Sequence, residues 1–555
     1  MKMSRWWRRP ALAVAALMAA ACADRPAEMP SGDGTPVRGG TVVIGGINDL
    51  DNLNSLVSAE KFSQEIIREM LFLPLIRYDA SLDYEPALAR SWELLGDTGV
   101  IFHLRNDVRW HDGTPTTAAD VMFTYERAVD PETAFPSADY FASWKSAKQI
   151  DSLTVQFTFE PHAEPLAGLP FMPIMPRHLL DSIAPSRMRQ ASFNKKPVGN
   201  GPFKFGEYRA NDRWVFLAND DYPAELGGRP YLDRVVWRVI PDATVQLTEI
   251  QTGTLDITPA KTDQVKSLAN APNLRTIVRP SRQYAVVGWN GKRAPFDQAV
   301  VRRALSMAMD RQAFIQTLRG GYGTLAVGPI GPFHWAYDST LTALPFNPDS
   351  ARALLRSANI QDRNGDGVAE LPDGRPFEIE LLLPANSIIN RDMAAMITAN
   401  LSQVGVRVTP KAVEATTMFA TISDPKRDFD AVIVAWESDF RINLRDIFHS
   451  DALGGPFQLA SYSNPKVDSL IDFTARTKDR EKAKPAYQEL QRVLRDEQPW
   501  SFLYYFPDVY LVRDRVHGVE MDIRSSLLTV GKWWVSPDAG TAARSDSADR
   551  SRAPD

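Results

Sequence analysis

Apolar and polar positions recur along this chain with two different periods, and the periods mark out its elements. Alternation with period two, the sign of a half-buried strand, is clear at 153–159 and 234–240. Shorter apolar or alternating runs predict further strands at 40–46, 100–104, 201–208, 214–219 and 377–383, a strongly apolar one at 431–436, and a last set around 502–510. Helical spacing predicts helices over 62–73, 118–129, 350–358, 391–404 and 480–496. The clearest helix is 298–318, where Val301, Leu305, Ala308, Ile315 and Leu318 fall close to one face, Asp297 caps the start and Gly320-Gly321 ends it. Thr116 and Thr117 can cap the 118–129 helix, and Asp120 suits its positive end, just after the turn dipeptide Asp112-Gly113. Strands and helices interleave without segregating, so the class is mixed α/β.

The two ends break the pattern. Lys2, Arg5, Arg8 and Arg9 precede an eleven-residue apolar run at 11–21, and small residues lead into Cys22, the only cysteine. This is the layout of a secretory signal peptide, too short to cross the roughly 30 Å hydrocarbon core of a bilayer. The 17–22 stretch resembles a bacterial lipoprotein lipobox, with Ala19 where leucine is usual, which implies cleavage before Cys22 and acylation of its thiol. Residues 22–37 then read as a flexible tether and 539–555 as a solvated, disordered tail.

Charge and composition narrow the function. The chain of 555 residues carries a formal net charge of −5, and loss of residues 1–21, with four basic side chains and no acidic one, moves it to −9. Nothing basic remains to suggest nucleic acid. No later run approaches eighteen apolar residues, so none is expected to span a membrane. No P-loop, H-E-x-x-H or G-x-S-x-G motif occurs, a lone thiol gives no internal disulfide, and the seven histidines are scattered, so no enzyme is expected. One motif suggests a metal: Asp362, Asn364, Asp366 and Asp373 around Gly367 are spaced as in a calcium loop, although Asp replaces the usual final Glu and a strand follows instead of a helix. An Asx-rich turn is the alternative there.

Three blocks carry a resemblance. They are LRNDVRWHDGTPTTAADVMFTYER at 104–127, VGNGPFKFGEY at 198–208 and FDQAVVRRALSMAMDRQAFI at 296–315, with weaker echoes at 86–94, 346–358 and 501–512. Together they resemble family 5 of the extracellular solute-binding proteins, the peptide, dipeptide and nickel receptors of bacterial ABC importers. The resemblance implies a two-lobed periplasmic-binding-protein fold of the large, cluster C type. Lobe I would use 38–85, 200–290 and 505–538, a subdomain at 86–199 would pack on it, and lobe II would cover 291–504. Strands crossing between lobes would act as a hinge, closing over a captured solute.

The resemblance also implies where ligand binds. In peptide-binding relatives a W-x-x-D run ends a strand and its Asp pairs with the peptide amine; here it is Trp436, Glu437, Ser438, Asp439. Phe440 and Arg441 follow where relatives often carry an acidic run, so Arg441 is expected either to neutralise Asp439 or to meet a ligand carboxylate. Tyr284 and Asn290, in RQYAVVGWNGK, lie on the strand expected between lobes, and Trp335 and Tyr505 are further candidates. The expected receptor takes an oligopeptide and serves separate permease subunits from a periplasmic or other extracytoplasmic position, held to a membrane through a lipid. A sugar, opine or metal chelate, stacked on Trp436, Trp289 or Trp335, is the alternative within the fold, and a cell-envelope peptide hydrolase the alternative outside it.

Overall fold

The computed structural model describes residues 34–161, 163–268 and 271–536. The expected export segment, Cys22, the first part of the tether and the tail lie outside the described residues.

Two large sheets set the architecture. The first has seven strands in the order Leu274–Arg279, Asp508–Arg513, Ile257–Pro259, Thr41–Gly46, Arg234–Val239, Arg213–Ala218 and Phe203–Arg209. The second has six: Thr324–Leu325, Trp500–Tyr505, Gln283–Trp289, Ala431–Glu437, Glu378–Pro384 and Arg407–Val413. A four-stranded antiparallel sheet, Ala89–Leu94, Gly99–Leu104, Thr154–Phe159 and Trp144–Asp151, forms the subdomain with the Ala118–Val129 helix. One apolar core runs through the seven-stranded sheet and this subdomain, with Phe102, Phe157, Trp110 and Trp214 inside it.

The six-stranded sheet is buried on both faces. Along Gln283–Trp289, Ala285, Val287 and Trp289 enter one core while Tyr284 and Val286 enter another, as period-two geometry requires. Among the described residues the chain passes between the two large sheets twice, at 280–282 and 506–507. The passages are bonded to each other: Ser281 Oγ donates to the Phe506 carbonyl at 2.5 Å, and Phe506 N–H to Gln283 at 3.3 Å.

Several expectations are corrected. The strand at 283–289, expected within lobe I, pairs on both sides inside the six-stranded sheet, because its neighbours are Ala431–Glu437 and Trp500–Tyr505. The strand set expected around 502–510 is the pair Trp500–Tyr505 and Asp508–Arg513, which join different sheets. The long 298–318 helix divides into Ala299–Ala308 and Arg311–Leu318, since Met309 is extended and Asp310 accepts the Ala313 N–H at 2.9 Å to cap a new start. Gln298, not Asp297, precedes the first half. Thr117, not Thr116, begins the 118–129 helix, and its N–H donates to Asp120 at 2.8 Å. The 62–73 helix is Lys61–Ile66 followed by a widened turn to Leu71. The Leu71 carbonyl accepts N–H bonds from Asn200 and Gly201. A Cβ at Gly199 or Gly201 would fall on the Leu71 backbone, which gives the glycines of VGNG a steric reason.

Candidate functional site

The apolar strand Ala431–Glu437 ends where the second lobe meets the first, and the polar run Ser438 to Arg441 continues it into the cleft. Antiparallel register sets Tyr284 opposite Trp436 and Gln283 opposite Glu437, and Ser438 N–H extends the ladder to the Arg282 carbonyl at 2.9 Å. Four expected site residues, Trp436, Asp439, Tyr284 and Arg441, line one cavity of about 180 Å³, walled also by Ile330, Phe333, Leu444 and Ile447. Trp436 is held edge-on to Phe457, with centroids 5.9 Å apart, and against Trp500 at 5.2 Å.

Asp439 is the chemical centre. Its Oδ1 accepts from the Tyr140 hydroxyl and from the Phe440 N–H at 2.8 Å, with the Arg282 guanidinium 3.9 Å away. Among the described residues nothing donates to Oδ2, and the side chain is 39% exposed, so one carboxylate oxygen is open to the cleft. Burial pushes this carboxyl above its ordinary value, against the Tyr140 bond and the Arg282 and Arg441 charges that pull it down. A carboxylate in this setting gains most from a cationic donor that restores its lost hydration.

The flanking side chains close the lobes. Phe440 stacks on Tyr78 and on Phe171, both at 5.4 Å, with Arg282 over its ring at 4.6 Å. Arg441, its side chain 10% exposed, lies over the Tyr140 ring at 4.5 Å and reaches Asp139 at 3.3 Å. Arg480 pairs with Asp83 at 2.8 Å and Lys478 with Asp97 at 2.7 Å across the same gap. Arg441 therefore makes its ion pair with Asp139 of the subdomain and none with Asp439, whose carboxyl its charge still pulls down, and it lines the cavity.

Other expected residues lie elsewhere. Asn290 is fully buried, its Nδ2 donating to the Arg427 and Phe429 carbonyls at 2.7 Å each and its Oδ1 accepting from Lys292 N–H at 3.1 Å. It is a structural lock and not a cleft residue, because the register puts it at the far end of the strand from Glu437. Trp289, buried and bonded to Ser501 Oγ at 2.9 Å, offers no stacking surface. Tyr505 donates to the Gly328 and Ile330 carbonyls and so shapes the loop over the cavity. Trp335 stands outside the Trp436 cavity, edge-on to Tyr487 at 5.5 Å, with Arg480 over its ring. Beside it Glu164 has its carboxyl pushed up by burial, opposed by Arg480 and Arg441. Its neighbour His334 does line the cavity; burial lowers its ring to about 4, so it is neutral and donates Nε2–H to the Phe440 carbonyl at 3.1 Å.

The 362–373 loop departs from its expected ligand set. Asp373 turns away to pair with Arg375 at 2.8 Å, while Glu370 joins Asp362 and Asp366, with ligand atoms within 4.8 Å of one another. Both Asp362 oxygens accept loop N–H groups, from Gly365 at 2.6 Å and Gly367 at 2.9 Å, and Asn364 Oδ1 accepts from Asp366 N–H at 2.8 Å. These are the bonds of an Asx-rich turn.

Sequence reasoning missed Tyr140 and Arg282. Arg282 precedes the 283–289 strand, which the resemblance alone implied, and its place beside Glu437 follows once the register is known. Tyr140 sits in a short turn of the subdomain, 299 positions from Asp439, and no local pattern announces it.

No helix among the described residues is long and apolar enough to cross a membrane. The family profile described as bacterial extracellular solute-binding proteins, family 5 Middle, matches residues 83–442. The oligopeptide-binding protein AppA of Bacillus subtilis is 29% identical over 509 residues, covering 91% of this chain and 93% of its own. A dipeptide-binding protein of Pseudomonas aeruginosa is 28% identical over 469 residues, covering 79% and 84%. The solved structure of Bacillus subtilis AppA with a nonapeptide superposes with a TM-score of 0.76 at 28% identity, covering 91% of this chain and all of that one. The profile takes in the subdomain, the strand Gln283–Trp289 and the run through Asp439, and the likeness in fold extends to both lobes: the chain belongs to family 5 of the bacterial extracellular solute-binding proteins.

Proposed function

We propose that this protein captures peptides with a free N-terminal amine between its lobes and delivers them to the permease of an ABC importer. The observation that carries this reading is the open Oδ2 of Asp439 beside the Trp436 cavity. A peptide ammonium donates to that oxygen, and the adjacent apolar walls receive a side chain. Closure then brings Tyr140 over the bound end and against Arg441. Peptide-binding relatives such as the oligopeptide-binding protein of Bacillus subtilis support the solute class. In this reading the ligand leaves uncleaved, residues 1–21 direct export, and acylated Cys22 keeps the receptor beside its membrane partners. A Cys22→Ser chain is expected in the soluble fraction, and its persistence in membranes would remove the lipid anchor from the reading.

Native mass spectrometry of the purified protein tests the solute class. Free-amine peptides are expected to co-purify and to be recovered intact. A sugar, opine or metal chelate in their place, or progressive cleavage of an added peptide pool, would replace this reading with one of its rivals.

A further inference from the structure

The 437–441 run partitions the cleft. Besides the cavity of about 180 Å³ bounded by Trp436, three more meet along this run. One of about 260 Å³ lies toward Lys61 and Arg279, one of about 250 Å³ toward Glu164 and Tyr487, and one of about 800 Å³ toward Tyr222 and Trp534. Glu437 belongs to the wall between the first and second, Arg441 to that between the first and third, and Phe440 to that between the second and fourth. Each partition is held in place. Arg282 pairs with Glu437, Asp139 and Tyr140 hold Arg441, and the Tyr78 and Phe171 rings clasp Phe440.

We propose that Phe440 limits ligand length, so that the closed receptor takes peptides of two or three residues and excludes long ones. This rests on the peptide reading of the cleft. A nonapeptide spans roughly 30 Å when extended, whereas the Asp439 cavity and the two compartments that share its Glu437 and Arg441 walls hold only about 180, 260 and 250 Å³, at the lower end of what a small ligand fills. Only the space of about 800 Å³ has room for a longer chain. From the Asp439 cavity it is reached past Glu437 into the second compartment and then past Phe440, whose displacement breaks two ring stacks and a guanidinium–ring contact. The Bacillus subtilis relative has been solved with a nonapeptide, so the family fold itself does not forbid one.

Four randomised peptide pools, two, three, six and nine residues long, are titrated against the purified protein. The wild-type chain is expected to bind the two shortest pools at least about tenfold more tightly than the nine-residue pool. Phe440→Ala narrows that gap to about threefold, while Phe440→Tyr, which keeps the ring and its stacks, preserves it. Phe171→Ala opens the same partition from the subdomain and gives the same narrowing should Phe440→Ala fold poorly. A wild-type chain that binds nine residues as well as two, or a length dependence unchanged in both alanine variants, overturns the gate and leaves the peptide reading standing. Failure to bind any pool overturns that reading and the gate with it.

Discussion

The strands Gln283–Trp289 and Ala431–Glu437 are antiparallel partners with two very different ends. At one end Gln283 faces Glu437, and the chain runs on to Asp439 in the cleft. At the other Trp289 faces Ala431, and the chain runs on to Asn290 inside the second lobe. Six steps of about 3.4 Å set the ends roughly 20 Å apart. At the buried end every polar atom of the Asn290 amide has protein partners, and the result is rigidity. At the cleft end Asp439 keeps one oxygen unengaged, and the result is an appetite for a donor. Binding capacity here is polar capacity that folding left unused.

The sharpest way to break this contrast is Asp439→Ala. It is expected to weaken binding of a free-amine peptide about 100-fold, near 2.7 kcal/mol, because the ammonium loses its charged acceptor. The N-acetylated peptide should change little in the same titration. Equal losses would take Asp439 out of amine recognition and dissolve the difference between the two ends.

Asn290→Ala probes the other end. It removes the donor from two buried carbonyls and should cost about 2 kcal/mol of folding stability, read as a lower denaturant midpoint. Peptide affinity should be unchanged. A weakened affinity at intact stability would move Asn290 into the site.

A smaller and graded effect comes from pH. Burial raises the Asp439 carboxyl above its ordinary 3.8, so the free protein takes up a proton before an exposed carboxylate would. A bound ammonium favours the ionised form and pulls the value back down. Protonation and amine binding therefore compete, and affinity should fall by up to about tenfold per pH unit below the raised value. His334, held at about 4, gains positive charge in the acid range and works against the ammonium in the same direction. Isothermal titrations across this range should show the loss for free-amine peptides, and an equal slope for acetylated ones would assign it to another group.

Much of this was legible in the residues, for reasons that differ by element. The 431–437 strand and the W-x-x-D run at its end are local, so apolar run and motif together found Trp436 and Asp439. Tyr284 was found through the family resemblance, and the register then sets it opposite Trp436. Asn290 was misplaced because only register tells which end of a strand faces the cleft. The helix break at Met309 was hidden by apolar spacing that continues across it, although Asp310, a good N-cap, stood in plain view. Tyr140 was out of reach, as its contact with Asp439 depends on how the subdomain and second lobe dock.

The paired passages at 280–282 and 506–507 have a thermodynamic consequence for any titration of this receptor. Two short segments bonded side by side form a torsional joint: twisting about them keeps the Ser281 and Phe506 bonds, while sliding or spreading breaks them. In a binding-protein fold whose lobes open and shut about such a joint, ligand binding is coupled to that motion. A ligand shifts that balance only by its preference for the shut form. The dissociation constant measured from outside is then the constant of the shut cleft divided by the fraction of molecules already shut, so a substitution in this joint can change apparent affinity without touching a single ligand contact.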